Sequence, residues 1–117
     1  IVLLSSPKTY EDIIRLSKNM GLPYVFSSYK TESILDVAAL IQNLQLVITP
    51  DTSIVHIASA FNVPVVSIHE NNNNSYRLFA PKSQYSKTVF SQSVKGIDGY
   101  SVNELIRYSD ELISRVN

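Results

Sequence analysis

Short, nearly unbroken apolar runs alternate with stretches of helical periodicity along most of this sequence, and that alternation admits few folds. Ile1 to Leu4, Tyr24 to Phe26, Leu46 to Ile48 and Val65 to Ile68 lack the in-and-out alternation of a half-exposed strand. They read instead as strands buried on both faces. Between the first two, Ile13, Ile14, Leu16 and Met20 fall near one face of a helix running from Thr9 to Met20. Ile34, Val37, Ala38 and Ile41 do the same from Ser33 to about Asn43, and a third helix is expected from Thr52 to about Phe61. The order β-α-β-α-β-α-β predicts an α/β fold: a Rossmann-like open parallel sheet with helices on both faces and right-handed crossovers. In such sheets ligands bind beyond the carboxyl ends of the strands, near a topological switch point.

Local signals set the boundaries. Thr9 is placed to cap the first helix, with Asp12 three positions later, and Gly21 supplies a left-handed stop. Thr49-Pro50 ends the third strand, and Asn62 can cap the third helix. From His69 to about Lys87 no periodicity is evident, and the run Asn71 to Asn74 reads as a loop that moves. Tyr76, Phe79 and Tyr85 in this stretch suit either a lid over a ligand or anchors onto the core. Arg77 and Lys82 suit either an anionic ligand or solvent. Thr88 to Phe90 is a short fifth strand. A final helix from Val102 to about Val116 is expected to turn Leu105, Ile106, Leu112 and Ile113 inward. No repeat or linker interrupts the chain, so residues 1–117 read as one domain.

Composition excludes several classes. Lys and Arg number 10 and Asp and Glu 10, so there is no global field to gather nucleic acid or an anionic membrane. The chain has no Cys, which excludes disulfides and thiolate metal sites and suits a reducing compartment such as the cytoplasm. No apolar run approaches the ~20 residues that span a bilayer, and no signal-peptide pattern opens the chain. The abrupt start inside an apolar run, without Met, leads to the expectation of a segment from a longer polypeptide.

The chemistry concentrates in Thr49-Pro50-Asp51-Thr52-Ser53-Ile54-Val55-His56, which leaves a strand and opens a helix. The first amides of a helix have no internal partner, and the helix dipole adds partial positive charge there. Such an end suits an anion, and this one lies on the ligand-binding edge of the expected sheet. Thr52 and Ser53 add hydroxyls, and His56 follows one turn later on the same helix face. The set suits a diphosphate. Asp, Thr and Ser are also ordinary N-cap residues that need no ligand, so a purely structural role stays open.

Other chemistries find less support. His56 and His69 lack the further ligands that a zinc site needs, so no metal is expected. Ser53 and His56 sit three apart on one helix, which does not build a nucleophile–base–acid relay with Asp51. With only three Gly there is no Gly-rich phosphate loop, and no Gly-x-Ser-x-Gly elbow occurs.

The stretch from Asp51 to Pro64 resembles the signature of glycosyltransferase family 9, the lipopolysaccharide heptosyltransferases. Asp51, Thr52, His56, Ala58, Ala60, Val63 and Pro64 match as they stand. Ser33 to Ile41 upstream, and Tyr76 to Pro81 downstream, are similar to the elements that flank that signature. The resemblance implies the C-terminal half of a GT-B fold, which binds a nucleotide-sugar donor such as ADP-heptose. It also implies an N-terminal domain of the same polypeptide that carries the general base and receives a glycan or lipid acceptor. Asp51, Thr52, Ser53 and His56 would then line the diphosphate and sugar. The catalytic base would lie outside this chain, and neither metal nor cofactor would be required. The implied setting is cytoplasmic, peripheral at the inner membrane.

The chain also departs from the family pattern. Ser53 stands where the family has Gly, and His69-Glu70-Asn71 replaces its usual Gly-Pro-Thr. Lys8 stands where relatives can place a ribose-binding carboxylate, and Glu32 falls in the base-contacting loop. Lysine cannot accept a hydrogen bond from a ribose hydroxyl. These departures keep a second reading open, a non-catalytic Rossmann-like ligand-binding or interaction module with a decayed donor site.

Overall fold

The computed structural model describes residues 1–116. The chain forms two compact units, residues 1–37 and residues 38 onward.

In the first unit, β1 (Val2–Leu3) leads through a single 3-10 turn (Pro7–Thr9) into α1 (Tyr10–Met20) and then β2 (Phe26–Ser27). β1 and β2 pair in parallel, Val2 opposite Phe26 and Leu3 opposite Ser27. α1 ends as expected, with Gly21 at φ 62° donating its N–H to the Lys18 carbonyl at 3.2 Å. Thr9 occupies the cap position but makes no side-chain cap bond. Tyr10 ties α1 to the segment after β2, its hydroxyl donating to the Ser28 carbonyl at 2.9 Å. Leu16 and Met20, expected to face inward, remain exposed. α2 (Ile34–Ile41) spans the division between the units, shorter than its periodicity suggested.

The second unit is built on β3 (Val47–Pro50), β4 (Val65–His69) and β5 (Ser86–Phe90), parallel and in sequence order. The expected single sheet is therefore two hydrogen-bonded ladders, one of two strands and one of three. β4 is central, with Val66 opposite Ile48 on one side and Lys87 on the other. All five of its residues are buried.

Helices lie on both faces of this sheet at β4, but β3 alternates, with Ile48 51% exposed, so it is not enclosed on both faces as its apolar run implied. Val66 and Val89 pack with Leu112 of α5 (Val102–Val116), and Leu46, Leu105, Tyr100 and Tyr108 close around them. On the opposite face, Val65, Ser67 and His69 alternate with that set. α4 (Asn73–Phe79) meets this face through Tyr76, whose ring lies edge-on to His69 and to Phe90. α3 (Ser53–Ala60) packs on β3 and β4 and buries Val55 and Ala58. Asn62 follows it at φ 54°, with its side chain accepting from the Gln84 amide at 2.7 Å.

Two expectations are corrected. The Asn run is the start of a helix, because Asn72 Oδ1 accepts from the amides of Asn74 and Ser75 and caps α4. The residues after α4 are tied down too, the Lys82 amide bonding Ser59 Oγ and Ser83 Oγ bonding the Val63 carbonyl. On α5, Leu112 is buried, but Ile106 is 55% and Ile113 41% exposed. The inward stripe is narrower than the sequence periodicity implies. Among the described residues no helix is long and apolar enough to cross a membrane.

Leu112→Ala is expected to remove about 2–5 kcal/mol of stability through the cavity it leaves. Ile106→Ala, about one and two-thirds turns away on the open side, should stay within roughly 0.5 kcal/mol. Urea unfolding of both variants checks this, and equal losses would contradict the packing described.

Candidate functional site

The polar corner forms where β3 turns into α3. β3 ends at Pro50, and the Asp51 amide still reaches across to the Ile68 carbonyl at 2.9 Å. The chain then swings out at Thr52, which is extended at φ −140°, ψ 177° and caps α3. Its Oγ1 accepts from the Ile54 amide at 3.3 Å and lies 3.2 Å from Thr49 Oγ1, which bonds the Pro50 carbonyl at 3.0 Å. Such a cap is worth about 1 kcal/mol. Among the described residues, the backbone amides of Thr52 and Ser53 find no partner within the chain. These are the groups a helix start leaves open.

Asp51, Thr52, Ser53 and His56 thus gather at one corner of the second unit. Thr52, Ser53 and His56 are exposed, and Asp51 is partly so. The His56 ring is exposed rather than turned into the core, and meets Phe79 of α4 edge-on at 6.3 Å. Lys8 and Glu32 belong to the first unit. Lys8 is exposed in the 3-10 turn after β1. Glu32 precedes α2, its amide held by Asp36 Oδ2 at 2.9 Å while its side chain is exposed. Thr52 carries a structural duty that the sequence reading left open, since its hydroxyl is already engaged as a cap.

His69 joins the corner, though sequence reasoning weighed it as a metal ligand and as a departure from the family's Gly, not as a partner of Asp51. It ends β4 on the same face as Ser67, is 1% exposed, and sets Nδ1 3.6 Å from Asp51 Oδ2. That gap is an ion-pair distance, too long for a hydrogen bond. Neither ring nitrogen has a hydrogen-bond partner. Leaving a buried polar group unpaired costs about 1–3 kcal/mol, so this imidazole is held by its backbone and neighbours. Burial pushes His69 below its ordinary pKa of 6.5, the Asp51 carboxylate opposes this, His56 adds to the lowering, and Glu70 opposes it. The available signal was positional: period-two counting from Val65 places residue 69 on an enclosed face at the ligand-binding end of the strand. No group of three or more metal-ligating side chains occurs among the described residues.

Tyr76 does not form a lid. Its ring packs on His69 at 5.2 Å, and its hydroxyl accepts from Thr88 Oγ1 at 3.2 Å, itself 3.1 Å from Ser67 Oγ. Glu70 accepts from the Gly96 amide at 2.9 Å, and the Asn71 amide bonds the Ser93 carbonyl at 2.7 Å. The loop after β5 is thereby fastened to the end of β4.

Parallel strands, flanking helices and open amides at a strand-to-helix turn define the class: a Rossmann-like α/β protein with a polar corner at the carboxyl edge of its sheet. Within that class the chain belongs to glycosyltransferase family 9 (heptosyltransferase), whose family model matches residues 1–97. It is thus a glycosyltransferase-family domain. Comparison with curated proteins and with solved structures gives no match.

The depressed pKa of His69 makes stability depend on pH. Below 6.5 the unfolded chain binds a proton that the folded chain resists, so stability falls as pH drops from 6.5 through the folded value. Above 6.5 both states are neutral at this residue and the contribution is fully present. His69→Phe should flatten the change in urea midpoint between about pH 7.5 and about pH 5.5. An unchanged slope would mean that other groups cause it.

Proposed function

We propose that this chain is the donor-binding part of a glycosyltransferase that moves a heptose-like sugar from a nucleotide-diphosphate sugar to a lipopolysaccharide or other glycan acceptor. The observation that carries this reading is the start of α3: open amides at Thr52 and Ser53, the Ser53 hydroxyl and the exposed His56, in a chain of family 9. A diphosphate seated there would meet the amides, the helix dipole and the imidazole together. Asp51 would accept from a sugar hydroxyl, since a carboxylate has no donor to offer phosphate. As the glycosidic bond to the diphosphate breaks, the same donors would stabilise the leaving group without a metal.

ADP-heptose is the donor that family resemblance favours. The general base and acceptor site are assigned to an N-terminal domain of the same polypeptide, working in the cytoplasm at the inner membrane. This chain alone is then expected to bind donor weakly and transfer no sugar.

A second reading, a non-catalytic module with a decayed donor site, draws support from two contacts. Thr52 spends its hydroxyl on capping, and Glu70 spends its carboxylate on the Gly96 amide. Titration calorimetry with ADP, UDP and GDP separates the two readings. The transferase reading expects saturable binding to at least one nucleotide, weakened about 10-fold or more in His56→Ala through loss of a charge-assisted contact and weakened in Thr52→Ala through loss of the cap that orders the open amides. No binding to any of the three would favour the module.

A further inference from the structure

A diphosphate at the start of α3 creates an electrostatic problem that the proposed function leaves open. Asp51 immediately precedes the two open amides, so the incoming negative charge arrives beside a carboxylate. Like charges in a partly enclosed corner oppose each other, and the carboxylate must be neutralised or turned aside.

The group placed to do this is His69. Its Nδ1 stands 3.6 Å from Asp51 Oδ2, so a small rotation of the carboxylate closes a hydrogen bond. At 1% exposure the ring is too enclosed to touch a ligand directly, and any effect on the donor must pass through Asp51. A buried histidine with a purely structural duty normally spends at least one ring nitrogen on a hydrogen bond. Here both are unspent, and Tyr76 fixes the ring by an edge contact at 5.2 Å.

We propose that His69 is the positioning residue of this corner. When a diphosphate seats on the α3 amides, the neutral imidazole takes one proton from solvent and donates Nδ1–H to Asp51, aiming the carboxylate at a hydroxyl of the donor sugar. The inference rests on the donor-site reading. No covalent bond other than the new N–H forms, and the proton comes from water or buffer. The charges acting on the ring come from Asp51 on the β3–α3 turn, His56 on α3 and Glu70 next in the chain, while α4 contributes the Tyr76 ring. Asp51 and Glu70 favour a charged imidazole, whereas burial and a charged His56 oppose it. An added diphosphate tips that balance toward protonation.

The chain has two histidines, so nitrogen-detected NMR of the imidazoles follows each one separately. His56→Gln, or contacts to the Tyr76 ring, identifies the His69 signals. Titrations are run on the full chain alone and with saturating pyrophosphate, ADP, UDP or GDP. The expected result is a His69 pKa that rises by about one unit or more in the complex. A hydrogen-bonded Nδ1–H signal should appear with it and be missing from the saturated Asp51→Ala complex, which has no side-chain acceptor. A purely structural histidine would show neither change. Saturation reported by the Thr52 and Ser53 amides, with His69 titrating as in the free chain, overturns the proposal and leaves the donor site standing. Failure to saturate with any of the four probes overturns the donor-site reading, and this inference with it.

Discussion

The enclosure of β4 is the constraint on which the rest of the second unit depends. The strand is hydrogen-bonded on both sides and buried at all five positions, so its register is strongly specified. A slip of one residue would exchange Val66, which packs on Leu112, and Ile68 with Val65, Ser67 and His69. The cross-strand bonds hold it to its last residue, from the Asp51 amide to the Ile68 carbonyl and from the Ser91 amide to the His69 carbonyl. The imidazole is therefore delivered to Asp51 by the ladder, with no hydrogen bond of its own. A fold can carry an unpaired buried ring only where the backbone leaves it nowhere else to go.

The elements with strong periodicity were legible from residues alone. α1 with its Gly21 stop, the three strands of the larger sheet and the long α5 all follow from apolar spacing and simple terminators. α4 was not legible, and the reason is physical. Its seven residues are Asn73 to Phe79, too few and too polar to show an amphipathic repeat. What starts it is one side chain, Asn72, whose carboxamide oxygen takes two amides at once. Set among three other asparagines, that cap looks like a biased loop. Isolated helices of this length are marginal, and α4 is held by Tyr76 against His69 and Phe90. Those contacts are tertiary and leave no local trace.

The corner itself was legible in part. The strand–Asp–Thr–Ser–helix order pointed to open amides, and His56 lies exposed beside them. What could not be read was the division of labour among the hydroxyls. Thr52 is bound into a chain from Ile54 through Thr49 to the Pro50 carbonyl. Any phosphate contact by its hydroxyl has to compete with that chain, whereas the Ser53 amide and side chain carry no such obligation. Ser53, the residue that departs from the family's Gly, is therefore the freer donor of the two.

The same logic applies to the loop after β4. Where the family usually has Gly-Pro-Thr, stiffness comes from the backbone itself, from a fixed proline φ and a permissive glycine. Here His69-Glu70-Asn71 reaches a comparable constraint through pairing. The Glu70 carboxylate holds the Gly96 amide, the Asn71 amide holds the Ser93 carbonyl, and Asn72 opens α4. Gly96, at φ 88°, turns its N–H toward Glu70 in a conformation other residues rarely adopt. The loop is thus held by two side-chain acceptors, Glu70 and Asn72, and by one backbone bond, from Asn71 to Ser93. A glycine at position 69 could neither fill the space against Tyr76 nor answer the charge on Asp51.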